Sequence, residues 1–449
     1  MSKNYSHIRS SFPKAINRHG SKLALCLGIL LFSLQPLFVQ ANESRLEDET
    51  DLQASATLLP RAKSIDLDEP VEETGQAFEQ ESEVASDEPA AETDATPPLL
   101  FLGTQVLPGT STRLAWSPSQ SFESIASPTS VLVVKGANTG PVLCLTAAVH
   151  GDELNGIEIV RRVMYALEAE KLSGTVIGVP IVNLQGFQRS SRYLTDRRDL
   201  NRFFPGNTQG SSASRIAYSF FREVISHCDA LVDIHTGSFH RINLPQLRAD
   251  LSQPEVVKLT QGFGATAVLH STGAVGTLRR AATDNGIPAV TLEAGGSMHL
   301  EEEAVEHGVK GINTLISTLG MGKKMSLWGP PEPVYYHSIW VRANRGGILF
   351  SDVELGEKVD KGDLLGTVTD PITNVRSEIT APFEGRILGM AVNQVVMPGF
   401  AAFRIGIQRT DKDGESVEEV LPNTPEDDSP DLASSENFTP STPDRERSE

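Results

Sequence analysis

The chain has 449 residues, with 58 Asp+Glu against 39 Lys+Arg and a formal net charge of −19. The acid lies at the ends: 42–100 holds 17 acids against 3 bases, 409–449 holds 13 against 4, and 1–41 holds five bases and no acid. The stretch 101–408 is left near −1, which excludes the basic footprint of a nucleic-acid binder, and three cysteines exclude a disulfide-built scaffold.

The N-terminus reads as a signal peptide spanning 1–41. Lys3, Arg9, Lys14, Arg18 and Lys22 form a basic region, 23–39 is apolar apart from Gln35 and Pro36, and Val39-Gln40-Ala41 resembles a small-residue cleavage site. The apolar run is short for a membrane span, so no stable span is expected after cleavage; an uncleaved anchor is the alternative. The expected destination is the bacterial periplasm. Residues 42–100 are acidic, rich in Ala, Pro and Ser and almost free of aromatics. Such a segment buries too little apolar surface to offset its ordering entropy, so it is expected to be a disordered linker, and the 409–449 tail likewise. Past the signal only Cys144 and Cys228 remain. Export permits a bridge, but both end or interrupt apolar runs and are expected as buried free thiols.

From 101 to 325 strand and helix patterns alternate. Strands are predicted at 130–134, 142–149, 175–182, 230–234, 265–269 and 289–292, and helices at 153–172, 214–226 and 301–319. The alternation predicts an α/β fold: a mostly parallel mixed sheet with helices on both faces. A smaller β-rich C-terminal module is predicted over 326–408, with short strands at 338–343, 347–350, 364–368, 377–380, 385–389 and 402–407. Gly356-Glu357-Lys358-Val359-Asp360-Lys361-Gly362-Asp363 and Ala381-Pro382-Phe383-Glu384-Gly385 resemble biotinyl and lipoyl carrier domains. The place of their modified lysine is held by Asn374, so the barrel-sandwich shape is expected without the swinging arm.

The chemistry concentrates where strands end. His150 follows one predicted strand, His235 another and Glu293 a third, and ligands of such sheets sit beyond the carboxyl ends of strands. His150 and Glu153 stand one helical turn apart at a strand-to-helix junction, where Gly151 permits a sharp turn. Two imidazoles and a carboxylate, His150, Glu153 and His235, can hold one zinc ion per chain and leave a fourth position open, the catalytic arrangement. Asp233, Thr236 or backbone groups are candidates to orient the imidazoles. Asn201 and Arg202 offer donors suited to a carboxylate. His240, His270, His299 and His307 have no motif around them and are expected on surfaces or loops.

These segments resemble the succinylglutamate desuccinylase/aspartoacylase family of the zinc carboxypeptidase clan. The matching segments run from Ala147 through His150-Gly151-Asp152-Glu153 to Gly156, then from Asp199-Leu200-Asn201-Arg202 to Gly206. Asp233-Ile234-His235-Thr236-Gly237 and Thr291-Leu292-Glu293-Ala294-Gly295-Gly296 complete the set. The resemblance covers roughly 130–320 and implies a zinc carboxypeptidase-like fold with a β-rich second module. It implies that Glu293 is the catalytic base and that Asn201 and Arg202 bind substrate. It also implies an upstream catalytic arginine, Arg192, with Arg189, Arg197 and Arg198 as rivals at shifted spacing. Arg279, or its neighbour Arg280, is a further substrate-binding candidate. Asp152 stands where the family often has Asn.

The expected function is zinc-dependent hydrolysis of an amide bond beside a carboxylate-bearing group. The leading form is deacylation of a small-molecule N-acyl amino acid. The alternatives are a carboxypeptidase acting on short peptides, cell-wall peptides among them, and an inactive binding or scaffold protein.

Overall fold

The computed structural model describes residues 96–118, 127–238, 240–324, 328–329, 332–392 and 394–408. The signal segment, the 409–449 tail, the acidic linker up to residue 95 and the boundary placed at 325–326 lie outside the described residues. A short hairpin, β1 (Leu99–Phe101) and β2 (Thr104–Val106), opens two residues inside the segment read as linker. β3 (Thr110–Trp116), β4 (Thr129–Lys135) and β5 (Asn138–Ala147) follow. Next come α1 (Leu154–Ala166), β6 (Ser173–Val179), the one-turn α2 (Leu184–Phe187), α3 (Ser212–Glu223) and β7 (Ala230–Gly237). β8 (Arg241–Ala249), α4 (Pro254–Gln261), β9 (Ala267–His270), α5 (Leu278–Asp284), β10 (Ala289–Gly296) and α6 (Glu302–Thr318) complete this part. The strands and helices predicted over 101–325 are all present, the first helix ending at Ala166 rather than 172, and β1, β2, β3, β8, α2, α4 and α5 add to them.

The central strands run in the order β8-β10-β7-β5-β6-β4-β3. β10, β7, β5 and β6 are parallel, while β8 and β4 flank them antiparallel. Alternation along the strands sorts the side chains between two cores. Leu143, Leu145, Val232 and Ile234 pack with Ile159 of α1, Leu259 of α4 and Ile312 of α6. Cys144, Leu231 and Ile177 pack on the other face with Phe220 of α3 and Leu278 of α5. The helices therefore cover both faces, as the alternating pattern predicts. α1 lies so close to the sheet that a Cβ on Gly156 would come within 2.9 Å of the Ala147 Cβ.

The C-terminal part holds β11 (Val334–Tyr335), β12 (His337–Arg342), β13 (Gly347–Ser351), β14 (Lys358–Val359) and β15 (Leu364–Thr369). It ends with β16 (Arg376–Thr380), β17 (Gly385–Ala391), β18 (Gln394–Val396) and β19 (Ala401–Ile407). β16-β15-β13-β18 form one sheet. Leu349, Leu365 and Ile379 from it share a core with Ile387, Phe403 and Ile405 of β17 and β19. β17 also pairs antiparallel with β8, so the large sheet runs on into the second module. Asn374, with a φ of 57°, sits in the turn joining β15 and β16.

The two cysteines correct the sequence reading. Cys144 and Cys228 form a disulfide with their Cα atoms 5.7 Å apart. β5 and β7 are neighbours in the ladder, with Leu143 opposite Ala230, so Cys144 and the residue two before β7 fall within bonding reach. Their separation of 84 residues hides that proximity in the sequence. Reduction, or Cys228→Ser, should lower unfolding stability by about 2–5 kcal/mol, as expected for a bridge closing a long loop. Denaturant titration with and without reductant measures this, and unchanged midpoints would show that the bridge adds nothing.

Candidate metal centre and active site

β5 ends at Ala147 rather than at the predicted 149, because Ala148 takes a positive φ of 47° and turns the chain away from the sheet. The turn runs against α2: a Cβ on Gly151 would lie 2.0 Å from the Gly186 carbonyl carbon, so only glycine fits. His150 follows this turn, and Glu153 stands at the N-cap of α1, where its side chain makes no capping bond. That carboxylate reaches the imidazoles instead. Glu153 Oε1 lies 2.8 Å from His150 Nδ1, and Oε2 lies 2.8 Å from His235 Nδ1 and accepts from the Thr236 N–H at 3.2 Å.

The far nitrogens are held as well. His150 Nε2 is 3.0 Å from Asp199 Oδ1, and His235 Nε2 is 2.8 Å from Asp233 Oδ2. Thr146 on β5 donates to the other Asp233 oxygen at 2.7 Å. A carboxylate on each Nε2 favours the tautomer that leaves Nδ1 available as a ligand. One ligand atom from each of His150, Glu153 and His235 falls within 4.8 Å of the others. Arg192 closes the cluster, with Nη1 3.3 Å from Glu153 Oε1 and 3.1 Å from His150 Nδ1 and Nη2 3.0 Å from Asp199 Oδ2. Three carboxylates and one guanidinium around two neutral imidazoles sum to −2. A divalent cation matches both that charge and the donor set.

Without metal, protons fill the same role. Burial pushes the His235 imidazole down, but the Asp233 and Glu153 carboxylates outweigh it and raise it well above its usual value. Burial and Arg192 pull His150 down, and Glu153 and Asp199 turn the balance upward. Burial pushes Glu153 up, yet the two imidazoles hold it well below the carboxylate range. Asp199 is held low in the same way by His150 and Arg192, against its burial. Burial and neighbouring Glu153 raise Asp152.

The structure separates the rival arginines. Arg192 reaches the cluster, whereas Arg189 donates to the Gln185 and Tyr193 carbonyls and Arg198 pairs with Asp196 on the exposed side. Arg279 lines the cleft and donates to the Ser271 carbonyl at 2.6 Å, while Arg280 pairs with Asp284. Asn201 and Arg202 also line it. Asn201 Oδ1 accepts from the Leu278 N–H at the start of α5, which fixes the 200–202 turn against that helix. Glu293 enters from β10, level with His235.

Sequence reasoning missed Asp199 as the partner of His150, although it stands inside the Asp-Leu-Asn-Arg motif. It also missed one whole wall. Arg241, Asn243 and Arg248 of β8 and Trp340 of β12 line the cleft. Arg241 lies 5.0 Å over the Trp340 ring and 4.6 Å over the Phe400 ring, and its Nε donates to the Ala401 carbonyl at 2.9 Å. The second module therefore builds part of the cleft. Five arginines and three carboxylates line the cavity, and its empty volume of about 720 Å³, open mouth included, suits a small anionic molecule.

Metal uptake must displace the proton that His235 holds in the metal-free protein, so affinity should weaken as pH falls through the raised range of that imidazole, by about tenfold per unit for each proton released. His235→Ala should abolish stoichiometric binding, and Asp199→Asn should weaken it by about 10–100-fold. Calorimetric zinc titration across pH checks all three, and pH-independent affinity would refute the proton coupling.

Residues 139–319 match the family model of the succinylglutamate desuccinylase/aspartoacylase catalytic domain. A curated relative, the N-alpha-acetyl-L-2,4-diaminobutyric acid deacetylase of Halomonas elongata, is 29% identical over 253 residues, 54% of this chain and 73% of the relative. Two solved structures share the fold at 24% identity and a TM-score of 0.61. One is a succinylglutamate desuccinylase of Silicibacter sp. TM1040, covering 71% of this chain and 99% of that one. The other is a product-bound ectoine utilization protein of Ruegeria pomeroyi, covering 66% and 95%. Over its residues 139–319 the chain is thus similar to the catalytic domain of the succinylglutamate desuccinylase/aspartoacylase family.

Proposed function

We propose that this protein is a zinc-dependent hydrolase that removes the acyl group from an N-acyl amino acid. The observation that carries the reading is the meeting, in one cleft, of a His150-Glu153-His235 ligand set, Glu293 and five arginines. The deacetylase activity of the Halomonas elongata relative supports deacylation over the release of a C-terminal residue. Zinc suits two imidazoles and a carboxylate, and when bound it supplies Lewis acidity to a carbonyl and to water.

The chain's own groups do the rest. Arg202 and Asn201 bind the substrate carboxylate, and Arg279 contributes to the same positive wall. Glu293 accepts the proton of the attacking water as the water oxygen adds to the amide carbon. It then delivers that proton to the leaving nitrogen as the C–N bond breaks, giving a carboxylic acid and a free amine. Arg192, beside the ligand set, stabilises the negative charge that develops on the carbonyl oxygen. The bridge between Cys144 and Cys228 suits an oxidising compartment and supports the export reading. Among the described residues no helix is long and apolar enough to cross a membrane.

Zinc-loaded protein, given a panel of N-acyl amino acids and short peptides, should release the acyl acid, read by mass spectrometry. Release of C-terminal residues would move the protein to the carboxypeptidase side, and inactivity on both with zinc bound would favour a scaffold role. Glu293→Gln should keep its zinc and lose about 10²–10⁴-fold in kcat. Retained turnover in that variant would remove Glu293 from the role of base.

A further inference from the structure

The strand β8 grips Glu293 from two sides. Asn243 Nδ2 donates to Glu293 Oε2 at 2.9 Å, and Arg248 Nη1 lies 3.3 Å from Glu293 Oε1. Both carboxylate oxygens are thus engaged by one neighbouring strand. Asn243 is 4% exposed and Glu293 5%, so this contact is formed out of bulk water, where a held geometry is worth most.

On a regular strand residues 243 and 248 would point to opposite faces, being an odd number apart. The register shows why they do not. Thr291 pairs with Arg248 and Glu293 with Gln246, but Gly295 pairs with Asn243. Two steps along β10 answer three along β8, so β8 carries one extra residue relative to β10 in the Leu244-Pro245 stretch, at the level where β10 also shifts register against β7. That bulge reverses the alternation beyond it and turns Asn243 and Arg241 to the face that Arg248 already occupies. Proline tolerates such a place because its missing N–H leaves no ladder bond to lose. The outer edge of β8 is meanwhile clamped by β17, with Asn243 opposite Gly389 and Gln246 donating to the Leu388 carbonyl at 2.9 Å.

We propose that Asn243 and Arg248 are positioning residues that fix the Glu293 carboxylate toward the reacting atoms, and that the bulge at 244–245 exists to bring both onto it. The proposal rests on the role given to Glu293 above. Asn243 sets the orientation of one oxygen through a directional amide bond. Arg248 holds the other through its guanidinium. Both side chains line the cleft with their polar atoms turned to Glu293, so their loss is expected to act on kcat rather than KM.

The test uses the full chain with zinc. Asn243→Ala and Arg248→Ala should each lower kcat on the fastest N-acetyl amino acid of the panel by about 10–100-fold, with KM within about twofold and zinc content unchanged. Arg248→Lys should recover part of the loss. Guanidine hydrochloride at tens of millimolar should rescue Arg248→Ala, an effect that a merely structural role would not produce. Crystal structures give a readout independent of turnover: Glu293 should hold one conformer in the wild type and several in the double variant. Wild-type kcat in both single variants while Glu293→Gln is inactive would overturn the positioning role and leave the base intact. An unchanged single Glu293 conformer in the double variant would overturn it whatever the activities. Turnover by Glu293→Gln would instead sink the base assignment, with the crystal structures still deciding whether β8 positions the carboxylate.

Discussion

The register of three parallel strands is the constraint on which the site depends. In the ladder Thr146 of β5 lies opposite Asp233 of β7, and His235 lies opposite Glu293 of β10. Side chains alternate along a strand, so a slip of one residue in β7 would carry Asp233 and His235 into an apolar core and bring Val232 and Ile234 toward the cleft. The hydrophobic patterns that fill both cores thereby also fix the polar residues at one level. The Thr146 hydroxyl on Asp233, 2.7 Å away, ties the two strands at that same level. The disulfide joins Cys144, two residues before Thr146 on β5, to Cys228, just ahead of β7.

On this frame stands a row of alternating charge: Asp199, His150, Glu153, His235, Asp233, with contacts of 2.8 to 3.0 Å throughout. Each member is nearly removed from water, and burying an ion costs several kcal/mol unless partners replace its hydration. Here each group is the partner of the next. Such a row gains little stability over an apolar core of equal volume; what it offers is a −2 pocket whose His150, Glu153 and His235 could hold a metal ion. Arg192 keeps the deficit at two rather than three, so the charge of one divalent cation completes the balance.

Much of this was legible in the sequence. The parallel centre of the sheet followed from strand patterns alternating with helix patterns. His150, Glu153 and His235 were read as one set and the fold brings them together, with Asn201, Arg202 and Glu293, whose roles the family resemblance implies, lining the same cleft. Two kinds of feature were not. Cys144–Cys228 and His150–Asp199 join residues 84 and 49 positions apart, and only the folded ladder shows that they touch. β8 escaped for a different reason. Arg241-Ile242-Asn243-Leu244-Pro245-Gln246-Leu247-Arg248 breaks the period of two and contains proline, both of which argue against a strand. The pattern fails there because the strand is bulged, and the bulge is what turns polar residues toward the cleft.

The clamp on Arg241 has a consequence for the order in which the site is made. Trp340, Phe400 and Ala401, which hold that side chain, lie about 100 to 160 residues further along the chain. The ligand cluster is complete with Thr236, and Glu293 follows 57 residues later. A chain emerging from synthesis can therefore assemble its metal ligands while one wall of the cleft is still missing. That wall is completed only when β17 pairs with β8 across some 145 residues, a contact of high sequence separation and so a slow one to form. The wall that Arg241 builds is therefore the part of the cleft that depends on the most distant stretch of chain.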